Sequence, residues 1–382
     1  MKRVAIFRAS LLPISETFIR DQAAALGTWE PVLVGLWEVP DGLETPKVPR
    51  EIVATRQRST EWRFLLALPI PALVDTFRRL GVRLVHAHFG TDALRAWPSV
   101  RAAGVPMVVT LHGYDINIRR EWWERGHAGW AMRLYPRRLR RMARHPQVRF
   151  IAVSEAMRQR AIAYGIPAQK ICVSYIGVDT QRFQPAGVPP GERRRRILFV
   201  GRMLEKKGPL LMVRAFEKVR ERLPDAELAM VGVGPLLEDA RALARDLAVP
   251  VEWLGARSSV EVRDQIHRAR VFCLPSVTAS NGDAEGFGLV LLEAQACGVP
   301  VVTSALGGAT EGLLEGRTGY GVPEGDVDAL AAKLLRFLED DAFANSASAA
   351  AARFVAESFD LQAGARRLEQ IYESHCAHAH SP

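Results

Sequence analysis

The stretch Glu285-Gly-Phe-Gly-Leu-Val-Leu-Leu-Glu293 joins a strand-like run, Val271 to Pro275, to a helix that ends near Gly298. The spacing leaves Glu285 in a loop and puts Glu293 two turns into the helix. Eight residues cover about 12 Å at 1.5 Å per residue, so one carboxylate can meet one end of a ligand while the other meets a group far along it. Between them the helix N-terminus offers free N–H groups, and the glycines let an anion approach the backbone. Such a site suits a ligand with hydroxyls at both ends and phosphate in the middle, which is the shape of a nucleotide-sugar.

Outward from this unit the same strand-and-helix alternation continues. In the second half, strands are expected at Ile197–Val200, Leu228–Val231, Val251–Trp253, Val271–Leu274, Val299–Thr303 and near Gly319–Val322. Helices are expected at Pro209–Arg222, Pro235–Leu247, Val260–Ala269, Gly288–Cys297 and Ala329–Leu338. The first half offers strands at Val4–Phe7, Val32–Trp37, Leu84–Phe89, Met107–Leu111, Phe150–Val153 and Ile171–Tyr175. Its helices are expected at Ser15–Leu26, Glu61–Leu80, Asp92–Ala103, Glu121–Ala143 and Glu155–Tyr164. Alternation of this kind predicts an α/β fold of two Rossmann-like domains, each a parallel sheet with helices on both faces. Pro185, Pro189, Pro190 and Gly191, followed by Arg193-Arg-Arg-Arg196, read as a linker over 185–196. The domains then span 1–184 and 197–360, with a C-terminal helix and tail over 361–382 that can pack back on the first domain. Two such domains facing each other leave a cleft outside the carboxyl ends of the strands, where ligands of open α/β sheets bind.

A chain of 382 residues is too long for one ordinary core, and 48% apolar with 24% charged residues is the balance of a soluble globular protein. No apolar run reaches the roughly 18 residues that span a bilayer. The opening MKRVAIFRAS reads as a first strand rather than a leader, because Arg8 interrupts the apolar run early. Cys172, Cys273, Cys297 and Cys376 form no Cys-x-x-Cys pair, so inert thiols in a reducing cytoplasm are expected.

Other strand ends carry chemistry. Gly201-Arg202 and Lys207-Gly208 follow a strand and precede a helix, where Arg202 can bridge phosphate oxygens and Lys207 supply a point charge. The spacing is not that of a P-loop. Val231-Gly-Val-Gly234 lacks a third glycine and reads as a tight strand-to-helix turn. Asp326-Val-Asp328 precedes a helix and reads as its cap rather than a metal site. In the first half, His86-Ala-His88-Phe-Gly90 and His112-Gly-Tyr-Asp115 sit at two strand ends. His112 is the stronger catalytic candidate, and a metal on the His-x-His pair is disfavoured for want of a third ligand.

Taken in order, Gly177-Val-Asp-Thr-Gln-Arg-Phe183, Gly201-Arg202, Lys207-Gly208, Glu285-x7-Glu293 and Gly307-Gly-Ala-Thr-Glu311 resemble the retaining nucleotide-sugar transferases of glycosyltransferase family 4, with the glycosyltransferase-B fold. Ser15-Glu-Thr-Phe-Ile19, His86-Ala-His-Phe-Gly90, Leu111-His-Gly-Tyr-Asp115 and the stretch Pro275 to Glu285 resemble the colanic-acid-type exopolysaccharide branch. The resemblance implies a donor-binding second domain and an acceptor-binding first domain. It implies that Arg202 and Lys207 neutralise the departing diphosphate, that Glu285 holds hydroxyls of the transferred sugar, and that Glu293 holds the ribose. The N–H groups of Phe287 and Gly288 would face sugar and phosphate, Gly201 and Gly286 would shape the donor loops, and His112 would touch the donor sugar. Ser15, His86, His88 and Asp115 are the acceptor-side candidates. The resemblance implies no metal or other cofactor, a UDP- or GDP-sugar as the donor, and a glycan or a polyprenyl-diphosphate-linked sugar as the acceptor. The chain departs from the family at Leu12-Pro-Ile-Ser15, where many members carry a Gly-Gly pair. A related sugar epimerase or phosphorylase is the nearest alternative.

The net charge of +9 is uneven: residues 1–180 hold 27 Lys and Arg against 15 Asp and Glu, and residues 181–382 hold 24 against 27. The basic excess therefore belongs to whatever the first half meets. Residues 119–145 contain nine arginines with Trp122, Trp123 and Trp130 among them. Such a stretch either lies on an anionic membrane surface, placing the protein at the inner face of the membrane, or is a solvated helix with its tryptophans packed inward. A nucleic-acid-binding protein would account for the charge but leave the glutamates and glycine loops unused, so no nucleic-acid partner is expected.

Overall fold

The computed structural model describes residues 1–13, 16–40, 42–53, 57–304 and 307–379. It divides into two compact units, Met1–Gly177 with Leu361–Pro382, and Val178–Asp360.

The first unit holds seven strands: β1 (Lys2–Leu11), β2 (Trp29–Glu38), β3 (Arg50–Ile52), β4 (Leu84–His88), β5 (Met107–Leu111), β6 (Val148–Ala152) and β7 (Ile171–Val173). The order is β3-β2-β1-β4-β5-β6-β7, and every pairing is parallel. The second unit has β8 (Arg196–Val200), β9 (Glu227–Val231), β10 (Glu252–Gly255), β11 (Val271–Leu274), β12 (Val301–Ser304) and β13 (Gly319–Val322). These lie in the order β10-β9-β8-β11-β12-β13, again all parallel. Every residue of β4, β5, β11 and β12 is buried, which requires cover on both faces of the sheet. Each chain half runs outward to one edge and then returns beside its first strand. That places a topological switch between β1 and β4 and another between β8 and β11, where ligands of open α/β sheets bind.

Local signals act as the sequence predicts at several ends. Ser154 Oγ accepts the N–H of Met157 at 3.1 Å, and Gly165 closes that helix at φ 105°. Ser258 and Glu261 form a reciprocal capping box. Asp326 caps its helix by accepting from Ala329 N at 2.9 Å, and Asp328 pairs with Lys218 at 2.7 Å.

Other expectations are corrected. The helix expected over 61–80 is two, Arg58–Leu65 and Pro71–Arg79, because Pro69 and Pro71 bar continuation and Pro71 suits a helix start. The helix expected over 121–143 breaks into Arg120–Glu124, a 3-10 turn Trp130–Met132 and Tyr135–Ala143, with Gly126 and Gly129 at positive φ between them. The short edge strand β3 was not expected. Residues 185–196 do not behave as a free linker: Arg196 opens β8, Arg195 pairs with Asp225 at 2.8 Å, and Arg193 Nη1 donates to Ala269 O at 2.8 Å. Gly191 N donates to Asn345 Oδ1 at 2.8 Å, so this segment is packed into the second unit.

The helix Leu361–Ala379 belongs to the first unit. Glu369, only 6% exposed, accepts the backbone N–H groups of Gly27, Thr28 and Trp29 at 2.8, 2.6 and 3.0 Å. Leu368 and Tyr372 enter the core cluster that contains β1 and β4 residues.

Candidate active site

In the second unit, two loops meet over the switch between β8 and β11. The first runs from Gly201 through a 3-10 turn, Glu205–Lys207, to Gly208 and the helix Pro209–Arg222. The second runs from Pro275 to Gly288, which precedes the helix Leu289–Ala296. Three consecutive residues of the first loop grip the second. Glu205 accepts from Ser280 N at 2.9 Å and Ser280 Oγ at 3.0 Å. Lys206 pairs with Asp283 at 2.9 Å, and its carbonyl accepts from Val277 N at 2.9 Å. Lys207 pairs with Glu285, their side chains 17% and 12% exposed. Burial alone would raise the Glu285 carboxyl; Lys207 and Lys206, with the N–H of Gly286, outweigh it and hold the group below the usual carboxylate range.

Glycines allow these loops to touch. A Cβ on Gly208 would stand 2.0 Å from the Pro275 carbonyl oxygen, and one on Gly232 1.9 Å from that of Gly201. The Gly-x-Gly of residues 232–234 is therefore a turn that packs its backbone on the Gly201–Met203 loop, with Met203 N donating to Val233 O at 2.9 Å. Arg202 is exposed and, among the described residues, makes no ion pair. Phe287 is buried and packs on Phe359 at 5.5 Å. The helix begins at Leu289, so half-buried Glu293 lies in its second turn, nearer the loop than the sequence reading had it. Sequence reasoning missed Glu205, Lys206, Ser280 and Asp283. Their only trace was membership of two stretches, Gly201 to Gly208 and Pro275 to Glu285.

In the first unit, the carboxyl ends of β1, β4 and β5 assemble a second cluster. β4 ends at His88, and Phe89 follows at φ 68°, a strained value for a residue with a side chain. His112 lies beside His88, its Nε2 3.0 Å from His88 Nδ1, and its ring is flanked by Phe89 at 4.6 Å and Phe18 at 5.0 Å. Part-buried Arg8 reaches across: it donates to Glu16 at 2.8 and 2.6 Å, pairs with Asp92, and lies 4.5 Å over the Phe89 ring. Arg8 and Asp92 had no motif to announce them, and Glu16 was present only as an unassigned member of Ser15-Glu-Thr-Phe-Ile19.

Two acceptor-side candidates are corrected. His86 is fully buried, with Nδ1 2.6 Å from the Tyr372 hydroxyl and Nε2 2.7 Å from Thr110 Oγ1, so both its nitrogens are used inside the core. Asp115 is equally buried and accepts backbone N–H groups from Gly90, His112 and Gly113 at 3.0, 3.3 and 2.9 Å. It positions the His112 turn rather than presenting a carboxylate. Ser15 lies outside the described residues.

Burial pushes His86 down to about 3 and, aided by neighbouring rings and Arg8, holds His88 and His112 well below the ordinary imidazole value. A ring whose folded pKa lies below its unfolded value of about 6.5 takes up its proton only on unfolding. Stability is thus whole above about pH 6.5 and falls below it, by up to about 1.4 kcal/mol per pH unit for each ring. Urea titrations at about pH 7.5 and 5.5 should differ by about 2 kcal/mol or more, and equal midpoints would count against this.

Residues 119–145 divide their aromatic groups. Trp123 is fully buried, 4.6 Å from Tyr135, whereas Trp130 is 62% and Leu134 47% exposed. Arg133, Arg137, Arg141 and Arg144 are exposed in the same region.

The chain is similar to known proteins along most of its length. Residues 16–182 match the family model Glycosyltransferase Family 4, and residues 180–354 match Glycosyl transferases group 1. A GDP-mannose-dependent alpha-(1-6)-phosphatidylinositol monomannoside mannosyltransferase of Mycolicibacterium smegmatis is 33% identical over 80% of this chain and 81% of its own length. A Salmonella typhimurium protein provisionally named as a colanic acid biosynthesis glycosyltransferase is 30% identical over 75% of this chain and 70% of its own. HepE of Anabaena, solved in complex with UDP, superposes with a TM-score of 0.79 at 19% identity, covering 98% of this chain and 100% of that one.

Proposed function

Because the chain belongs to the group 1 glycosyltransferases of glycosyltransferase family 4 and shares the glycosyltransferase-B fold, we propose that it moves a hexose from a UDP- or GDP-sugar to a glycan or lipid-linked acceptor with retention at the anomeric carbon. The observation that carries this reading is the largely shielded Lys207–Glu285 pair, 17% and 12% exposed, at the switch between β8 and β11. A diphosphate at that point competes with Glu285 for Lys207. It thereby frees the carboxylate to accept hydrogen bonds from sugar hydroxyls. Arg202, which pairs with no carboxylate among the described residues, adds a second cation for the diphosphate, and Glu293 takes the ribose hydroxyls. Fixed cations of this kind stabilise the charge that grows on the leaving group, without need of a metal. A hydroxyl of the transferred sugar is the partner for His112.

The reaction follows from these roles. The acceptor oxygen bonds to the anomeric carbon as the bond from that carbon to the diphosphate breaks. The acceptor's proton passes to the departing phosphate oxygen on the same face. A thermal-shift panel of UDP-, GDP- and ADP-sugars tests the donor, and NMR of the product tests the anomeric outcome. The name of the mycolicibacterial relative favours a GDP-sugar and the ligand of HepE a UDP-sugar, so one of these two should raise the melting temperature. No shift with any donor, or a product with inverted linkage, would overturn the reading.

We further propose that the exposed Trp130, Leu134 and arginines of 119–145 rest on the anionic inner face of the plasma membrane, where a polyprenyl-linked acceptor resides. No helix among the described residues is long and apolar enough to cross a membrane. Each cation near such a surface contributes roughly 1 kcal/mol. The protein should float with vesicles containing anionic lipid at low salt and release at high salt. Trp130→Ala should weaken flotation, and equal binding to neutral vesicles would argue against the charge-based attachment.

A further inference from the structure

His88 and His112 stand with Nδ1 of one 3.0 Å from Nε2 of the other, their rings stacked at 20° and 5.2 Å between centroids. A nitrogen-to-nitrogen hydrogen bond holds one proton between its two atoms: none leaves two lone pairs opposed, and two leave two protons opposed. Burial and the Arg8 charge disfavour protonation of both rings, so each is neutral and carries a single proton. Only two arrangements then satisfy the bond. If His88 carries its proton on Nδ1, His112 carries its own on Nδ1 and can donate there. If His112 carries it on Nε2, then its Nδ1 can only accept. The state of His88 therefore decides what His112 offers to a ligand.

The rings around this pair are fixed. His86 lies against His88, their rings tilted by 33° with centroids 4.4 Å apart, and is bound at both nitrogens, to Tyr372 and Thr110. Phe18 and Phe89 flank His112, and Asp115 ties its backbone N–H. We propose that His88 is a positioning residue that sets the ring orientation and proton location of His112. This rests on the reading of His112 as a group that meets the transferred sugar. It deepens that reading by giving His88 a role through another residue rather than on the acceptor.

The test compares His88→Leu, which removes the bond, with His88→Asn, whose amide can donate or accept near the Nδ1 position. In the ligand-free full chain labelled with 15N-histidine, wild-type His112 should show a single tautomer. His88→Asn should keep that pattern, and His88→Leu should lose it. Turnover is followed as nucleoside diphosphate released from GDP-mannose or UDP-glucose. His88→Leu should lower kcat on the order of tenfold to a hundredfold at unchanged donor KM, with His88→Asn restoring it to within about threefold, as for outer partners that orient a functional imidazole. An unchanged His112 spectrum in His88→Leu overturns the proposal. So does wild-type kcat in that variant, or equal loss in both variants. Absence of turnover in the wild type would count against the transferase reading alone, since the spectrum of the free protein still decides the role of His88.

Discussion

Lys207→Ala is expected to lower kcat/KM by about 10²- to 10³-fold, the loss seen when one preorganised group facing a developing charge is removed, or about 3–4 kcal/mol. The fold should survive, because Lys206 and the Gly286 N–H still support Glu285. Stability should nonetheless fall, since a mostly buried carboxylate loses its main partner. The double variant Lys207→Ala with Glu285→Ala separates the two effects. It deletes the orphaned charge, so part of the stability returns while transfer stays lost. Urea midpoints and initial rates on the four proteins of this cycle supply the check. A single variant that turns over within about fivefold of wild type would remove the pair from the transfer step, because about 1 kcal/mol is too little for a group on the leaving charge.

Gly208→Ala is expected to destabilise the second unit by about 3 kcal/mol or more. Two costs combine. At φ 66° a side chain sits in the left-handed region, which costs about 1–2 kcal/mol. The new methyl would also lie 2.0 Å from a backbone oxygen, that of Pro275, so a loop must move rather than a side chain. Moving it strains Met212 N to Gly208 O at 3.0 Å and Val277 N to Lys206 O at 2.9 Å, the bonds that hold both loops in place. Donor affinity should fall with stability, since Pro275 opens the loop that carries Glu285. Gly325→Ala is the matched control: φ is 78° there and nothing lies within 4 Å of the added methyl. It should lose only the conformational part. Equal unfolding midpoints for the two variants would show that close approach is not what Gly208 provides.

The glutamates and the cation-bearing loop were legible because each lies within a few residues of a strand end, where local pattern fixes the position. The grip of Glu205 and Lys206 on Ser280 and Asp283 was not legible. Those residues are ordinary loop residues, and their pairing depends on β8 lying beside β11. The histidines were legible as residues at strand ends but not in their ranks. His86 and His88 both lie on fully buried β4, yet one is bound on both sides within the core and the other is bonded to His112. Breaks in the two long helices were written in Pro69, Pro71, Gly126 and Gly129, whose backbone preferences outweigh the apolar periodicity around them.

By itself the sequence determined the parallel α/β class, the two sheets, the helix caps and the position of the two glycine-bearing loops that follow β8 and β11. These follow from contacts and backbone preferences among neighbours in the chain. Tertiary structure alone decided which charges neutralise each other, which histidine is bound on both sides within the core, and that the last helix completes the first unit. Hydrogen bonds and ion pairs act over about 3 Å, while the residues that make them are separated by the length of whole strands and helices. The strand orders that return β4 beside β1 and β11 beside β8 bring them within that reach.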